Sequence, residues 1–258
     1  MVSTSAGMTK MRRTIIFAES DIGEEFCCWL IEHRRADIAC IVCGAEGKIN
    51  DLAVRNGVLS HIFVDDRTYL EFLNLNDIQP TLGLLVWWPK IISNKIIQSA
   101  SGGFVNTHPS FLPYCRGKHY SFWTIVERAP FGVTLHRVSE LIDDGPILAQ
   151  RKISYDWEDT GQTLQQKAKE EMLELLKDSY ENLHCEGTLN IDRVSVLGSY
   201  HHSSEIKAAS HLDLDDLVSL RDLLNLLRAK THSIHKPCTF TEKGITYEVR
   251  VSITREKK

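Results

Sequence analysis

The apolar residues of this chain fall into short blocks separated by amphipathic stretches. Residues 14–18, 38–43, 61–64 and 82–88 are apolar runs of strand length. Between them, 21–35, 49–56 and 69–75 carry apolar residues at helical spacing, as Phe26, Trp29 and Leu30 do in the first. This alternation predicts the α/β class: a doubly wound, mostly parallel sheet with helices on both faces. Further along, the pattern predicts a helix over 118–128 and strands over 132–138 and 147–153. A long helix follows, opened by Thr160-Gly161-Gln162-Thr163 and running to Leu183. Its stripe of Leu164, Ala168, Met172, Leu175 and Leu176 reads as a packing surface.

From Ser199 the composition turns polar, and 200–204 reads as a loop. Ser219 is placed to cap a helix over 220–230, with Leu223, Leu224 and Leu227 on one face. Residues 239–241 and 245–253 flank Glu242-Lys243-Gly244, the signature of a hairpin with glycine in its turn. The expected organisation is a disordered leader over 1–10, a main domain over 11–198 and a small helix-plus-hairpin appendage over 199–258.

Composition narrows the class. Of 258 residues, 43% are hydrophobic and 25% charged, as in ordinary globular proteins. Net charge is −4 and the sequence pI about 6.3, so no basic excess invites a nucleic acid. No apolar run approaches the ~20 residues of a membrane span. Glu19 and Asp21 end the first apolar run too early for a signal peptide. The seven cysteines are odd in number and lack framework spacing. Cys27-Cys28 lie on a predicted helix and Cys40 and Cys43 on a predicted strand, with no second pair at metal-ligand spacing. They read as buried reduced thiols, which fits the cytoplasm, and no metal is expected. The first strand is not followed by Gly-x-Gly-x-x-Gly, which argues against a dinucleotide cofactor.

The chemistry gathers around Asn106-Thr107-His108-Pro109-Ser110-Phe111-Leu112-Pro113. The two prolines and the following Arg116-Gly117 forbid regular helix or inner strand. Asn106 and His108 therefore lie at or near a strand end, where side chains two apart point the same way. One donates without titrating; the other titrates near neutrality. Downstream, the strand over 132–138 runs into Leu141-Ile142-Asp143-Asp144-Gly145-Pro146, a carboxylate pair on a tight turn. An Asn, a His and an Asp converging on one point suit acyl transfer. The amide can hold an oxyanion, the imidazole can move a proton, and the carboxylate can orient or charge that imidazole.

In order and spacing, Asn106-x-His108-Pro-Ser-x-Leu-Pro, Arg116-Gly117, Gly132-Val-Thr and Asp143-x-Gly145-Pro146 resemble the formyltransferases that use 10-formyltetrahydrofolate. The likeness runs from about Ile15 to Leu183, with Phe111 where leucine is more usual. It implies the formyltransferase fold, Asn106, His108 and Asp143 as catalytic residues, and 10-formyltetrahydrofolate as formyl donor. It implies that Asp143, not Asp144, is the catalytic acid. It also implies a folate ring against Val86, Trp87, Leu141, Ile142 and Asp144.

Arg116-Gly117-Lys118-His119-Tyr120-Ser121-Phe122-Trp123, the segment from Asp159 to Leu164 and the tail resemble the nucleotide-sugar N-formyltransferase branch. That branch acts on dTDP-linked amino-dideoxy sugars of surface polysaccharides such as lipopolysaccharide O-antigen, here expected to be 4-amino-4,6-dideoxyglucose. Lys118, His119 and Ser110 are the expected acceptor contacts. His201, His202, His211, His232 and His235 are scattered and are read as having no role. A homodimer is expected, with the C-terminal hairpin offering an edge for a partner. Alternatives within the class are a glycinamide ribonucleotide formyltransferase and a formyltetrahydrofolate hydrolase. Outside it stands a non-catalytic folate- or nucleotide-binding module.

Overall fold

The computed structural model describes residues 13–186 and 198–256. The leader expected over 1–10 lies outside the described residues. The chain forms two compact units, the first made of residues up to Asn106 together with the end of one long helix from Tyr180.

The first unit alternates strand and helix: β1 (Thr14–Ala18), α1 (Ser20–Arg34), β2 (Ile38–Cys43), α2 (Lys48–Arg55), β3 (Ser60–Ile62), α3 (Asp66–Leu75), β4 (Leu82–Val86), α4 (Asn94–Ile97) and the start of β5 (Phe104–His108). Strands β1, β2 and β4 are buried at every position, as expected for parallel strands covered on both faces. β1 is central, pairing in parallel with β2 and β4; β3 extends β2, and β5 extends β4. Phe17 anchors the core. Its ring lies 5.2 Å from Trp88, 5.3 Å from Tyr69, 5.6 Å from Phe104 and 5.9 Å from Phe63, within the range of favourable aromatic pairs. Helix α3 starts where it does because Asp65 and Thr68 form a reciprocal capping box.

The second unit continues with β6 (Arg116–Gly117), α5 (Tyr120–Glu127), β7 (Phe131–Arg137), β8 (Ile147–Ile153) and α6 (Gly161–Glu186), then β9 (Tyr200–His201), α7 (Glu205–Ala209), α8 (Leu220–Lys230), β10 (Cys238–Glu242) and β11 (Ile245–Val249). β7 and β8 pair antiparallel, with an irregularity between Leu135 and His136. The order in the seven-stranded sheet is β3-β2-β1-β4-β5-β7-β8, so the doubly wound, mostly parallel expectation holds. The predicted stripe of α6 is buried throughout, from Leu164 to Leu176. Ser219 caps α8 by accepting from Asp222 N–H. Within α8 the buried Arg228 donates to Asn225 Oδ1 at 3.0 Å and to the Asp156 and Asp159 carbonyls at 2.7 and 2.8 Å. The hairpin turns at Lys243 and Gly244, both at positive φ, the geometry that matches strand twist.

Several expected bounds change. β4 ends at Val86 rather than at residue 88, because Trp87 adopts φ +55, which no strand accommodates. α5 begins at Tyr120 and ends at Glu127, since His119 and Arg128 both take left-handed backbone. The second hairpin strand stops at Val249 rather than 253. Tyr200 and His201 are not loop: they form β9, parallel to β6. A two-residue strand has no periodicity to read.

Candidate active site

His108 closes β5, with Asn106 two residues earlier on the same strand. Strand alternation turns both side chains to one face. Asn106 is half-buried and His108 buried. The chain then leaves the strand through the proline-flanked loop, which is pinned by side chains. Ser110 is buried; its hydroxyl donates to the Tyr114 carbonyl at 2.7 Å, and its own carbonyl accepts from Thr134 Oγ1 at 2.7 Å. Gln150 on β8 donates to the Leu112 carbonyl and to Thr134 Oγ1, at 2.8 and 2.9 Å. The loop is thus held by β7 and β8.

The connection between β7 and β8 carries the acid. Arg137 N–H donates to the Pro146 carbonyl at 2.8 Å, closing the loop. A side chain at Gly145 would run into the Arg137 carbonyl, so the tight closure requires glycine. Asp143 sits in the left-handed region at φ +51. Its Oδ2 lies 3.3 Å from His108 Nδ1 and accepts the Gly117 N–H at 3.0 Å. Its Oδ1 lies 3.5 Å from His136 Nε2. The Asp143, His108 and His136 side chains are 10%, 6% and 3% exposed. Burial alone would raise the Asp143 pKa; the two imidazoles outweigh it and hold the carboxyl well below the usual range. The acid is therefore ionised at any physiological pH.

Each imidazole is flanked by two acceptors. His108 Nε2 lies 3.4 Å from the Cys115 carbonyl, opposite Asp143. His136 Nδ1 lies 2.9 Å from the Arg137 carbonyl, again opposite Asp143. His136 carried no signal in the sequence, because on β7 it reads as one more inward-facing strand residue.

Asp144 takes Arg116 Nη1 at 2.7 Å. Leu141 and Ile142 are exposed at 67% and 46%. Lys118 and His119 are exposed, His119 at the left-handed entry to α5. Partial desolvation of its ring, then Lys230, lowers the His119 pKa. In the first unit, Val86 ends β4 buried, and its carbonyl accepts from Glu19 N–H at 3.2 Å; Trp87 follows half-buried.

No cysteine among the described residues is set up as a nucleophile. Burial pushes the Cys115 thiol up to about 12, and those of Cys43 and Cys238 to about 11. Six free cysteines are seen, five of them buried; the side chain of Cys185 lies outside the described residues.

Residues 71–179 match the formyl transferase family, and residues 205–255 match the N-formyltransferase dimerization C-terminal domain. Over residues 71–179 the chain is thus similar to the formyl transferase family. The chain is 28% identical over 154 residues to a dTDP-4-amino-4,6-dideoxyglucose formyltransferase of Mycobacterium bovis, covering 59% of this chain and 65% of that protein. The match thus spans just under two thirds of the curated relative. A sugar N-formyltransferase from Shewanella shares the fold with TM-score 0.79 at 22% identity, covering 96% of this chain and all of that one. An N-formyltransferase from Helicobacter canadensis, solved with folinic acid and dTDP-3-aminofucose, superposes at TM-score 0.64 and 15% identity, covering 84% and 80% of the two chains.

Proposed function

We propose that this chain transfers a formyl group from 10-formyltetrahydrofolate to the primary amine of a dTDP-linked amino-dideoxy sugar, 4-amino-4,6-dideoxyglucose being the favoured acceptor. The observation that carries the reading is the buried His108–Asp143 pair, in a formyl transferase domain that is followed by the 205–255 domain. The name of the mycobacterial relative supports the acceptor, and the ligands of the Helicobacter enzyme support a folate donor.

The residues divide the work as follows. Asn106 carries an amide N–H₂ that can donate to an oxygen gaining negative charge without changing its own protonation. His108 takes the proton released by the attacking amine on Nε2, whose 3.4 Å approach to the Cys115 carbonyl is longer than a firm hydrogen bond. Asp143 stays ionised, fixes the ring and stabilises the imidazolium that results. Gly117 N–H and His136 hold that carboxylate in place. The folate supplies the formyl carbon. The chemistry of the candidate contacts fits such a group. In the second unit, exposed Leu141 and Ile142 offer apolar side chains next to Asp144 in sequence; in the first unit, Val86 and Trp87 stand at the end of β4. Lys118 and His119 are proposed on the acceptor side, Lys118 toward the pyrophosphate; Ser110, expected there too, is fully buried with its hydroxyl on the Tyr114 carbonyl and serves the loop instead.

In this reading residues 11–198 form the catalytic domain and 199–258 the appendage. The chain acts as a cytoplasmic homodimer on a small nucleotide-linked substrate, without nucleic acid or membrane. The edge hairpin β10–β11 is the proposed dimer contact. Asn106→Ala tests the site: it should bind a stable folate such as folinic acid as the wild type does, while formylation of the dTDP-amino sugar falls ~10²–10³-fold. Near-normal turnover would remove the oxyanion role.

A further inference from the structure

His201 has both ring nitrogens on carboxylates. Its Nε2 lies 2.5 Å from Glu127 Oε1 on α5, and its Nδ1 lies 3.0 Å from Glu205 Oε2 on α7. An imidazole donates from both nitrogens only when protonated. Trp123 covers the ring face, with centroids 3.8 Å apart and planes 7° from parallel. The carboxylates are themselves fixed. Glu127 Oε2 accepts Ser199 Oγ at 2.7 Å and the Cys115 thiol at 3.7 Å. Glu205 Oε1 accepts His202 N–H at 2.6 Å. The bond from His201, then that from the His202 amide, holds the Glu205 carboxyl below its ordinary range.

The backbone of the same residue reaches the catalytic acid. β9 pairs in parallel with β6, placing His201 beside Gly117. The His201 carbonyl accepts Lys118 N–H at 3.1 Å, and the Ser199 carbonyl accepts Arg116 N–H at 3.0 Å. Gly117 stands at φ +87, and a side chain there would run into the His201 carbonyl. The next bond in the series is Gly117 N–H to Asp143 Oδ2. We infer that His201, clasped as an imidazolium between Glu127 and Glu205, is a positioning residue that sets the Asp143 carboxylate through β9, β6 and the Gly117 amide. The inference rests on the reading of Asp143 as the acid that serves His108. Losing one proton turns one nitrogen into an acceptor facing a carboxylate, so the clasp opens on one side. The groups that face the ring are Glu127, Glu205, Trp123 and, next in the chain, His202.

The test compares His201→Gln, which is neutral, with His201→Arg, which is planar, can stack on Trp123 and keeps its charge at all working pH. Two readouts are taken on the full chain: formyl transfer kinetics, and the titration of His108 followed by NMR of ¹³C-labelled histidine rings. Asp143→Ala defines the His108 signal without its acid. H201Q should lower kcat about tenfold, as small displacements of a reacting group do, with acceptor KM within about twofold. Its His108 titration should shift toward that of the Asp143→Ala protein. H201R should recover most of kcat and the wild-type His108 titration. Should H201Q not fold, Glu205→Gln on the exposed helix α7 opens one side of the clasp and should give a smaller shift of the same sign. Wild-type kcat and wild-type His108 titration in H201Q would overturn the inference. So would equal losses in H201Q and H201R. If the wild-type protein formylates no acceptor, the functional reading falls, while the NMR comparison still decides whether His201 positions Asp143.

Discussion

Asp143 holds its Oδ2 3.3 Å from His108 Nδ1, and the same oxygen receives the Gly117 amide at 3.0 Å. The acid that serves the imidazole is thus anchored by backbone, on a loop that the Arg137–Pro146 bond closes. Replacing Asp143 with asparagine keeps the shape and removes the charge. Asp143→Asn should lower kcat ~10²-fold or more and leave acceptor KM within about threefold, since proton transfer commonly contributes ~10²–10⁴. Steady-state kinetics check this; a larger change in KM than in kcat would make Asp143 a binding residue.

The same carboxylate links stability to pH. His108 and His136 outweigh burial and hold its pKa well below the usual value of about 3.9. A depressed carboxyl contributes stability that is fully present above its unfolded pKa and is lost as pH falls toward the folded one. Urea unfolding of wild type and Asp143→Asn should therefore differ most near pH 6–7, and the gap should narrow below about pH 4. A gap of constant size over that range would contradict the ion pairing.

Gly117 is a second point of leverage. Its φ of +87 disfavours any side chain, and the His201 carbonyl occupies the space a Cβ needs. Gly117→Ala should cost about 1–3 kcal/mol of stability and should lower kcat by more than any change in acceptor KM. Thermal melting and kinetics check the two parts; an intact kcat in a destabilised protein would separate Gly117 from Asp143.

The hairpin tests the proposed dimer. Ile245 and Tyr247 on β11 are 57% and 42% exposed, an apolar strand face that fits burial by a second copy. The paired change Ile245→Asp and Tyr247→Asp should shift the solution mass measured by light scattering from dimer toward monomer at micromolar protein. An unchanged dimer would move the interface elsewhere.

The sequence was legible where local periodicity or turn chemistry decides the structure. Apolar blocks marked β1, β2 and β4, and Ser219 marked the start of α8. The Asp143-Asp144-Gly145-Pro146 run marked the turn between β7 and β8. The contacts that complete the site were hidden for a physical reason. His136 sits at an ordinary inward position of a strand. Gly117 acts through its backbone amide. His201 meets Glu127 across 74 residues of sequence and Glu205 across four. None of these has a periodic signature. Trp87 shows the converse: its apolar side chain reads as strand, while its backbone at φ +55 ends one.

The most direct test is to incubate the protein with 10-formyltetrahydrofolate and a panel of amines, following the mass of each. The panel holds dTDP-4-amino- and dTDP-3-amino-dideoxy sugars, glycinamide ribonucleotide and a control without amine. One formyl group gained by the dTDP-4-amino sugar, and lost with Asp143→Asn, is the predicted result. Formylation of glycinamide ribonucleotide in its place, or donor cleavage without any amine, would contradict the account.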